Sequence, residues 1–288
     1  MRGNWIKLQH ELDCWADQGL TARFWARDDD AHELTEPLVR LHALARDHKI
    51  TVGLAVVPGL LDSELLNFLG AAKRQFFPMC HGWKHINHAP ANRPSEFGND
   101  RPFYRLLNDL QLAYNRFRRC FGHSNVIFVP PYAGIAPSLI KALPSVGFSG
   151  LSIGPGFVEF HLAQLAEKVW IPGIKLPRRS TVPQINAQID LIDWHLATAR
   201  DAGSVAESLV GYLRLRRRGI LNSDSPLGLL THHLRHDEKV WTLYEDLLEF
   251  LCHHHAVQFF DLSDEVEAMS VSAAFGQTAS MHPQHEPI

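Results

Sequence analysis

The stretch Thr21-Ala22-Arg23-Phe24-Trp25-Ala26-Arg27-Asp28-Asp29-Asp30-Ala31 joins an apolar segment to a charged one, and its reading decides the fold. After Gly19, Thr21 to Ala26 has the character of a first strand, and Arg27 to Asp30 follow where that strand ends. The same unit recurs down the chain. Ile50 to Val57 is a continuous apolar run suited to a strand covered on both faces, and further strands are predicted at Gln75 to Cys80, Val126 to Val129, Phe148 to Ile153, Ala187 to Ile192, Leu227 to Thr231 and Val257 to Phe260. Helical patterns fall between them. Trp5, Leu8, Leu12 and Trp15 predict a helix over residues 4–18. Thr35 and Pro37 mark the start of another, with Leu38, Leu41, Leu44 and Ala45 on its buried face. Asp62 to Leu69, Pro102 to Arg119, Ser204 to Arg216 and Lys239 to His253 complete the set. Strand and helix alternating over about 260 residues without a linker-like gap predict one barrel-like α/β domain with parallel strands. That domain is assigned to residues 1–269, and the polar tail 270–288 is expected to be disordered.

The 288 residues carry 28 Lys+Arg against 31 Asp+Glu, a formal charge of -3 that argues against a polyanion such as nucleic acid as the main partner. The most apolar stretch, Ile50 to Leu61, is interrupted by Gly53, Pro58 and Gly59, so no membrane span is expected. Met1 to Glu11 lack the apolar run and cleavage site of a secretory signal, and a cytoplasmic location is expected. Cys14, Cys80, Cys120 and Cys252 form no Cys-x-x-Cys pair, which suits reduced thiols. Histidine is unusually frequent at 18 residues, which directs attention to metal and proton chemistry.

In parallel barrels the reacting groups gather at the carboxyl ends of the strands. Five polar clusters map there: Arg27 to Asp30, His81 to His88, Pro130-Pro131-Tyr132, Asp190 to His195, and Thr231-His232-His233. Three adjacent aspartates repel one another, which a chain accepts on a solvated turn or beside a cation. His81 and His85 stand four apart, a spacing that puts two imidazoles on one side of a helical turn. Joined with a carboxylate from another strand end, they make a two-His, one-Asp metal set with open positions. His253-His254-His255 lies at a predicted helix C-terminus and is read as capping. The run Arg214 to Arg218 is read as a solvated helix end.

These clusters, taken in order from Asp28 to about His236, resemble the motifs of the polysaccharide deacetylases, the NodB-homology group of carbohydrate esterase family four. Asp29-Asp30-Ala31 resembles the first motif, Asp-Asp-Gly, and His81 to His85 the second. Pro130-Pro131-Tyr132 is similar to the third, Asp190 to Trp194 to the fourth, and Leu230-Thr231-His232 to the fifth. The resemblance implies a distorted (β/α) barrel of about seven parallel strands. It also implies a divalent metal, zinc by its mixed donors, held by Asp30, His81 and His85. Asp29 is then the base and His232 the acid, with Asp193 or Asp190 holding the His232 imidazole. Tyr132, Pro131 and Trp194 would line the substrate and oxyanion side.

Three positions depart from the pattern. Phe128-Val129 stands where the third motif carries an arginine, and Arg27 is the candidate to supply that guanidinium. Ala31 replaces the glycine of the first motif. The extra aspartate allows a second register with Asp28 as the base. His88 is a further candidate ligand, while His233 and His195 are read as supporting or structural. The expected function is removal of an N-acetyl group from a small or carrier-linked acetamido sugar. The alternatives are hydrolysis of a non-carbohydrate linear or cyclic amide, and a catalytically silent sugar- or metal-binding barrel. Oligomeric state is not legible in the sequence.

Overall fold

The computed structural model describes residues 5–122, 125–154, 182–264 and 266. In chain order its elements are α1 (Ile6–Asp17), β1 (Ala22–Ala31), α2 (Glu36–Asp47), β2 (Val52–Val56), α3 (Ser63–Ala71), β3 (Phe76–His81), α4 (Phe103–Phe121), β4 (Val126–Val129), α5 (Pro137–Val146), β5 (Phe148–Leu151), β6 (Ala187–Asp190), β7 (Ile192–Asp193), β8 (Thr198–Ala199), α6 (Ala202–Arg217), β9 (Leu227–Thr231), α7 (Glu238–His253) and β10 (Val257–Phe259). The main sheet runs β5-β4-β3-β2-β1-β9-β6 with every pairing parallel, and β10 adds to the start of β1. Its ends meet. Leu151 N–H donates to the Pro183 carbonyl at 3.0 Å, Ile185 N–H to Leu151 at 3.1 Å and Ala187 N–H to Ile153 at 3.1 Å, so the segment leading into β6 closes the sheet on β5. The result is a distorted (β/α) barrel. No helix among the described residues is long and apolar enough to cross a membrane.

Strand side chains alternate between the two faces, and the alternation separates two cores. Trp25, Ala55, Phe77, Met79, Ile127, Val129 and Leu230 point into the barrel. Phe24, Ala26, Leu54, Phe76, Cys80, Phe128 and Leu229 point out to the helices. Trp25 fills the barrel floor with no exposed surface, and Gly228 leaves it the space. A Cβ at Gly228 would stand 2.6 Å from Trp25 Nε1 and 2.6 Å from the Ala187 Cα. Side-chain caps start several helices: Thr35 Oγ1 accepts from Leu38 N–H at 3.3 Å, Asp62 Oδ1 from Leu65 N–H at 2.7 Å, and Asp237 Oδ1 from Val240 N–H at 2.9 Å.

Several expectations change. β1 does not stop at Ala26; it continues through the acidic triplet to Ala31. The predicted strand Ala187 to Ile192 breaks after Asp190, and Ile192-Asp193 pairs instead with Thr198-Ala199 in a small antiparallel hairpin. α5 had no counterpart in the sequence reading. The Arg214 to Arg218 run is not simply solvated: Arg217 Nε donates to Glu11 Oε1 at 2.7 Å, Arg214 Nε to Glu11 Oε2 at 3.2 Å, and Arg216 Nη2 to the Pro226 carbonyl at 3.1 Å. His253 Nδ1–H donates to the Glu249 carbonyl at 2.7 Å, a helix-end bond, whereas His254 Nε2 reaches Asp13 of α1 at 3.3 Å. The expected tail, 270–288, lies outside the described residues.

Glu11 is buried on α1 and faces two guanidinium groups of α6 that keep partial contact with water. Replacing Glu11 with Ala removes the carboxylate that both groups face and is expected to cost about 1–3 kcal/mol, below the range for a fully buried pair because of that exposure. Urea unfolding measures it. A change within about 0.5 kcal/mol would show that the pair does not fasten α1.

Candidate active site

Alternation along β1, β3 and β9 carries the barrel's inward-facing series out to its carboxyl end. Trp25, Arg27 and Asp29 share one face of β1, Phe77, Met79 and His81 one face of β3, and Gly228, Leu230 and His232 one line on β9. Asp29, His81 and His232 thus converge at the mouth. Asp30 would face away on a regular strand, but a bulge intervenes. Asp28 pairs with Leu54 and Ala31 with Val56, so Asp29 and Asp30 together stand opposite the single residue Ala55. Asp30 takes φ 75°, in the left-handed region that an aspartate tolerates better than most residues, and its side chain turns to the same mouth. His32 Nδ1–H fixes the bulge by donating to the Asp30 carbonyl at 2.8 Å.

Asp30 Oδ1 lies 3.0 Å from Nε2 of His81 and 3.0 Å from Nε2 of His85. Ligand atoms of these three residues all fall within 4.8 Å of one another. Nδ1–H of His81 is committed to the Val129 carbonyl at 3.1 Å, which leaves its Nε2 lone pair directed at the carboxylate. An imidazole lone pair facing a carboxylate oxygen calls for a positive charge between them, a proton or a cation. The electrostatics agree. Burial raises the Asp30 carboxyl, but hydrogen bonds from His81 and His85 outweigh it and hold the group well below the usual carboxylate range. Burial disfavours the charged form of His81, but the charges of Asp29 and Asp30 outweigh it and raise its pKa. The mixed oxygen and nitrogen donors therefore fit a borderline divalent ion.

The His81 to His85 spacing is realised without a helix. Gly82 at φ 59° and His85 at φ 57° bend the loop. The buried Glu96 carboxylate gathers it by accepting from Trp83 N–H at 3.0 Å and Lys84 N–H at 2.8 Å. Glu96 was missed in the sequence, since nothing in Ser95-Glu96-Phe97 signals a buried acid. His88 does not join the set: its backbone N–H donates to the Ser95 carbonyl at 2.9 Å and its side chain is exposed. Tyr132 follows β4 at φ 58°, with its hydroxyl donating to the His85 carbonyl at 3.1 Å and its ring 4.5 Å from the His85 ring. Pro131 packs against Gly82, where a Cβ would meet Pro131 Cγ at 2.4 Å.

Arg27 reaches Asp29 along the same face. Its Nε lies 2.9 Å from Asp29 Oδ1, and Nη2 donates to Oδ2 at 3.0 Å. Nη1 crosses the barrel to Ser152 Oγ at 2.7 Å and the Ile153 carbonyl at 3.3 Å, just past β5. His232 Nε2 stands 4.0 Å from Asp29 Oδ2, and Trp194 meets the His232 ring edge-on at 4.8 Å. Asp190 lies near enough to feel the charge of His232, whose buried Nδ1 has no hydrogen-bond partner among the described residues. Burial raises the Asp190 pKa against the opposing charge of His232, the Ile192 N–H and the Trp194 indole. Asp193, one of the two carboxylates expected to hold His232, has Oδ1 in the hairpin turn, where it accepts from His195 N–H at 2.9 Å and Leu196 N–H at 3.2 Å. Asp28 points the other way, to the outer face, and meets His233 there. Burial raises the Asp28 carboxyl, but the charge and hydrogen bond of His233 prevail and its pKa is lowered.

No protein-family model matches the sequence, and no curated protein does. Solved structures match it through the fold. The peptidoglycan N-acetylglucosamine deacetylase Bc1960 superposes with a TM-score of 0.51 at 14% identity, over 87% of this chain and 94% of its own. A polysaccharide deacetylase from Mycobacterium smegmatis gives 0.50 at 12% identity, over 94% and 95% of the two chains. A family 4 carbohydrate esterase from Bacillus anthracis gives 0.50 at 10% identity, over 86% and 84%. The fold is that of the NodB-homology deacetylases. On this NodB-type barrel the sequence places Asp29, Asp30, His81, His85, Tyr132, Trp194 and His232 around one mouth, with Arg27 beneath Asp29.

Gly82 sets the approach of the β3 loop to that mouth, since a Cβ there would stand 2.2 Å from Glu96 Oε2. Gly82→Ala is expected to cost at least about 2 kcal/mol from the left-handed backbone and the contact together, seen as a fall of about 4 °C or more in Tm. A Tm equal to the parent's would show that the loop yields.

Proposed function

We propose that this chain is a metal-dependent hydrolase that removes the N-acetyl group of an acetamido sugar, with a small or carrier-linked sugar as the substrate class. The observation that carries this reading is the placing of Asp29. Its carboxylate is gripped by Arg27, lies 4.0 Å from His232 Nε2, and adjoins the Asp30, His81 and His85 set.

A divalent ion held by Asp30, His81 and His85, zinc by its donor chemistry, would polarise the amide carbonyl and lower the pKa of water. The chain's own groups do the rest. Arg27, through two nitrogens on two carboxylate oxygens, keeps Asp29 in one orientation, and Asp29 takes the proton of the attacking water at a carboxylate oxygen. His232 stands across the mouth and gives its Nε2 proton to the departing amine nitrogen, with the buried Asp190 carboxyl near it. A separation of 4.0 Å keeps base and acid from bonding to each other directly and leaves reacting atoms room to bridge them. Tyr132 and Trp194 expose aromatic surface on either side, 40% and 53%, as a binding site for sugar faces requires. The contact of Arg27 with Asp29 supports reading Arg27 as the guanidinium that Phe128-Val129 lacks.

The ligand set is tested by metal content. Protein purified without added metal is expected to carry one divalent ion per chain, and His81→Ala to bind it orders of magnitude more weakly. Equal affinity in the variant would overturn the assignment.

The chemistry is tested by amine release from a panel of acetamido sugars and of linear and cyclic amides. Asp29→Asn should lose turnover while retaining metal. His232→Ala should lose on the order of 10²–10⁴-fold on acetamides and much less on an activated acetate ester, whose leaving group needs little protonation. Equal loss on both substrates removes His232 from the acid role, and turnover only of cyclic amides replaces the sugar reading.

A further inference from the structure

The mechanism above uses two of the three aspartates of β1. The third, Asp28, is fully buried on the outer face, where Oδ2 accepts from Thr231 Oγ1 at 2.7 Å and from the His233 backbone N–H at 2.9 Å, while Oδ1 meets His233 Nδ1 in a short contact. These partners flank His232 on both sides in sequence. We infer that Asp28 and His233 are a positioning pair that fixes His232 against Asp29, an inference that rests on the functional reading above.

The geometry gives the reason. Pairing of β1 with β9 ends at Asp28 and Thr231, so the sheet ladder no longer holds the backbone at His232. The carboxylate of Asp28 takes over, with Oδ2 bonded on both sides of the break, to Thr231 Oγ1 and to His233 N–H. A further bond comes from His236, whose Nε2 accepts from His232 N–H at 3.2 Å. Burial keeps that imidazole neutral, with its pKa lowered to about 4, so it can accept. Asp28 and Thr231 lie opposite each other on the outer face, and Asp29 and His232 follow on the inner face, so the two pairs stand back to back across one ladder. Apolar residues would pack the outer face at least as well as a buried ion pair, which contributes little to stability over such a replacement. What the pair does supply is a fixed backbone course for His232. The exposed Trp194 ring is a weaker constraint on the imidazole.

The test uses the full chain and two readouts. In metal-free protein, the His232 ring Cε1–H signal is identified by NMR through its disappearance in His232→Ala. Asp28→Ala should shift or broaden that signal. Asp28→Asn, whose amide oxygen can still accept from Thr231 Oγ1 and the His233 N–H and whose amide N–H can face an unprotonated His233 Nδ1, should keep it near the parent position. In the metal-loaded enzyme, Asp28→Ala should lose on the order of 10²-fold on an acetamide, the scale of a misplaced reacting group, with metal content unchanged and much less lost on an activated acetate ester. Asp28→Asn should recover most of it. If Asp28→Ala does not fold, Thr231→Val removes one contact at nearly constant shape and should move both readouts in the same direction by less. An unmoved His232 signal in a folded variant, or equal loss on amide and ester, overturns the positioning role. Were the parent to hydrolyse neither substrate, the functional reading would fall while the NMR arm still decided whether the pair positions His232.

Discussion

A strand offers successive side chains to opposite faces, so three consecutive aspartates cannot all reach one pocket. The whole site follows from how β1 handles that constraint. Asp28 goes out to His233, Asp29 goes in to Arg27, and Asp30 is brought round by the bulge to His81 and His85. Each carboxylate meets its own positive or proton-bearing partner from a different part of the chain. Repulsion within the triplet is thereby offset with Asp28 and Asp29 buried and Asp30 only partly open to water, which is why the strand can run on through it.

The site also concentrates backbone strain. Asp30, His85, Tyr132 and Ala133 have φ between 54° and 75°, and all stand at the mouth. Such residues persist only where surrounding structure determines them. Here that structure is identifiable: His32 on the Asp30 carbonyl, Glu96 beneath the His85 loop, and the Tyr132 hydroxyl on the His85 carbonyl. Donors held this way need little rearrangement to receive a ligand.

Much of the barrel was legible because its strands are apolar runs bounded by polar ends, and because the catalytic candidates fall at those ends. The parity of Phe77, Met79 and His81 needs only the strand register to be read. What stayed hidden depended on contacts distant in sequence. The acidic triplet looks like a solvated turn until Arg27, His233 and the two metal-set histidines are placed around it. His81 and His85 have helical spacing, but Gly82 and the buried Glu96 make a bent loop of it. Asp193 matches a motif position, yet its N–H partners at His195 and Leu196 draw Oδ1 into the hairpin. Closure of the sheet through residues 183–187 could not be read from a segment with so little strand character.

Arg27 and Asp29 belong to one strand, two residues apart, and this bears on how the barrel moves. A guanidinium and carboxylate on separate strands would drift relative to each other whenever the ladder between those strands breathes. Two positions on one extended strand are about 7 Å apart by covalent geometry alone, and breathing cannot change that. Asp29 and His232, by contrast, sit on neighbouring strands, and no single strand's covalent geometry sets their spacing. The proposed base thus travels with its orienting arginine as one rigid cassette, while its distance to the proposed acid depends on the contacts that cross the ladder, those of Asp28 among them.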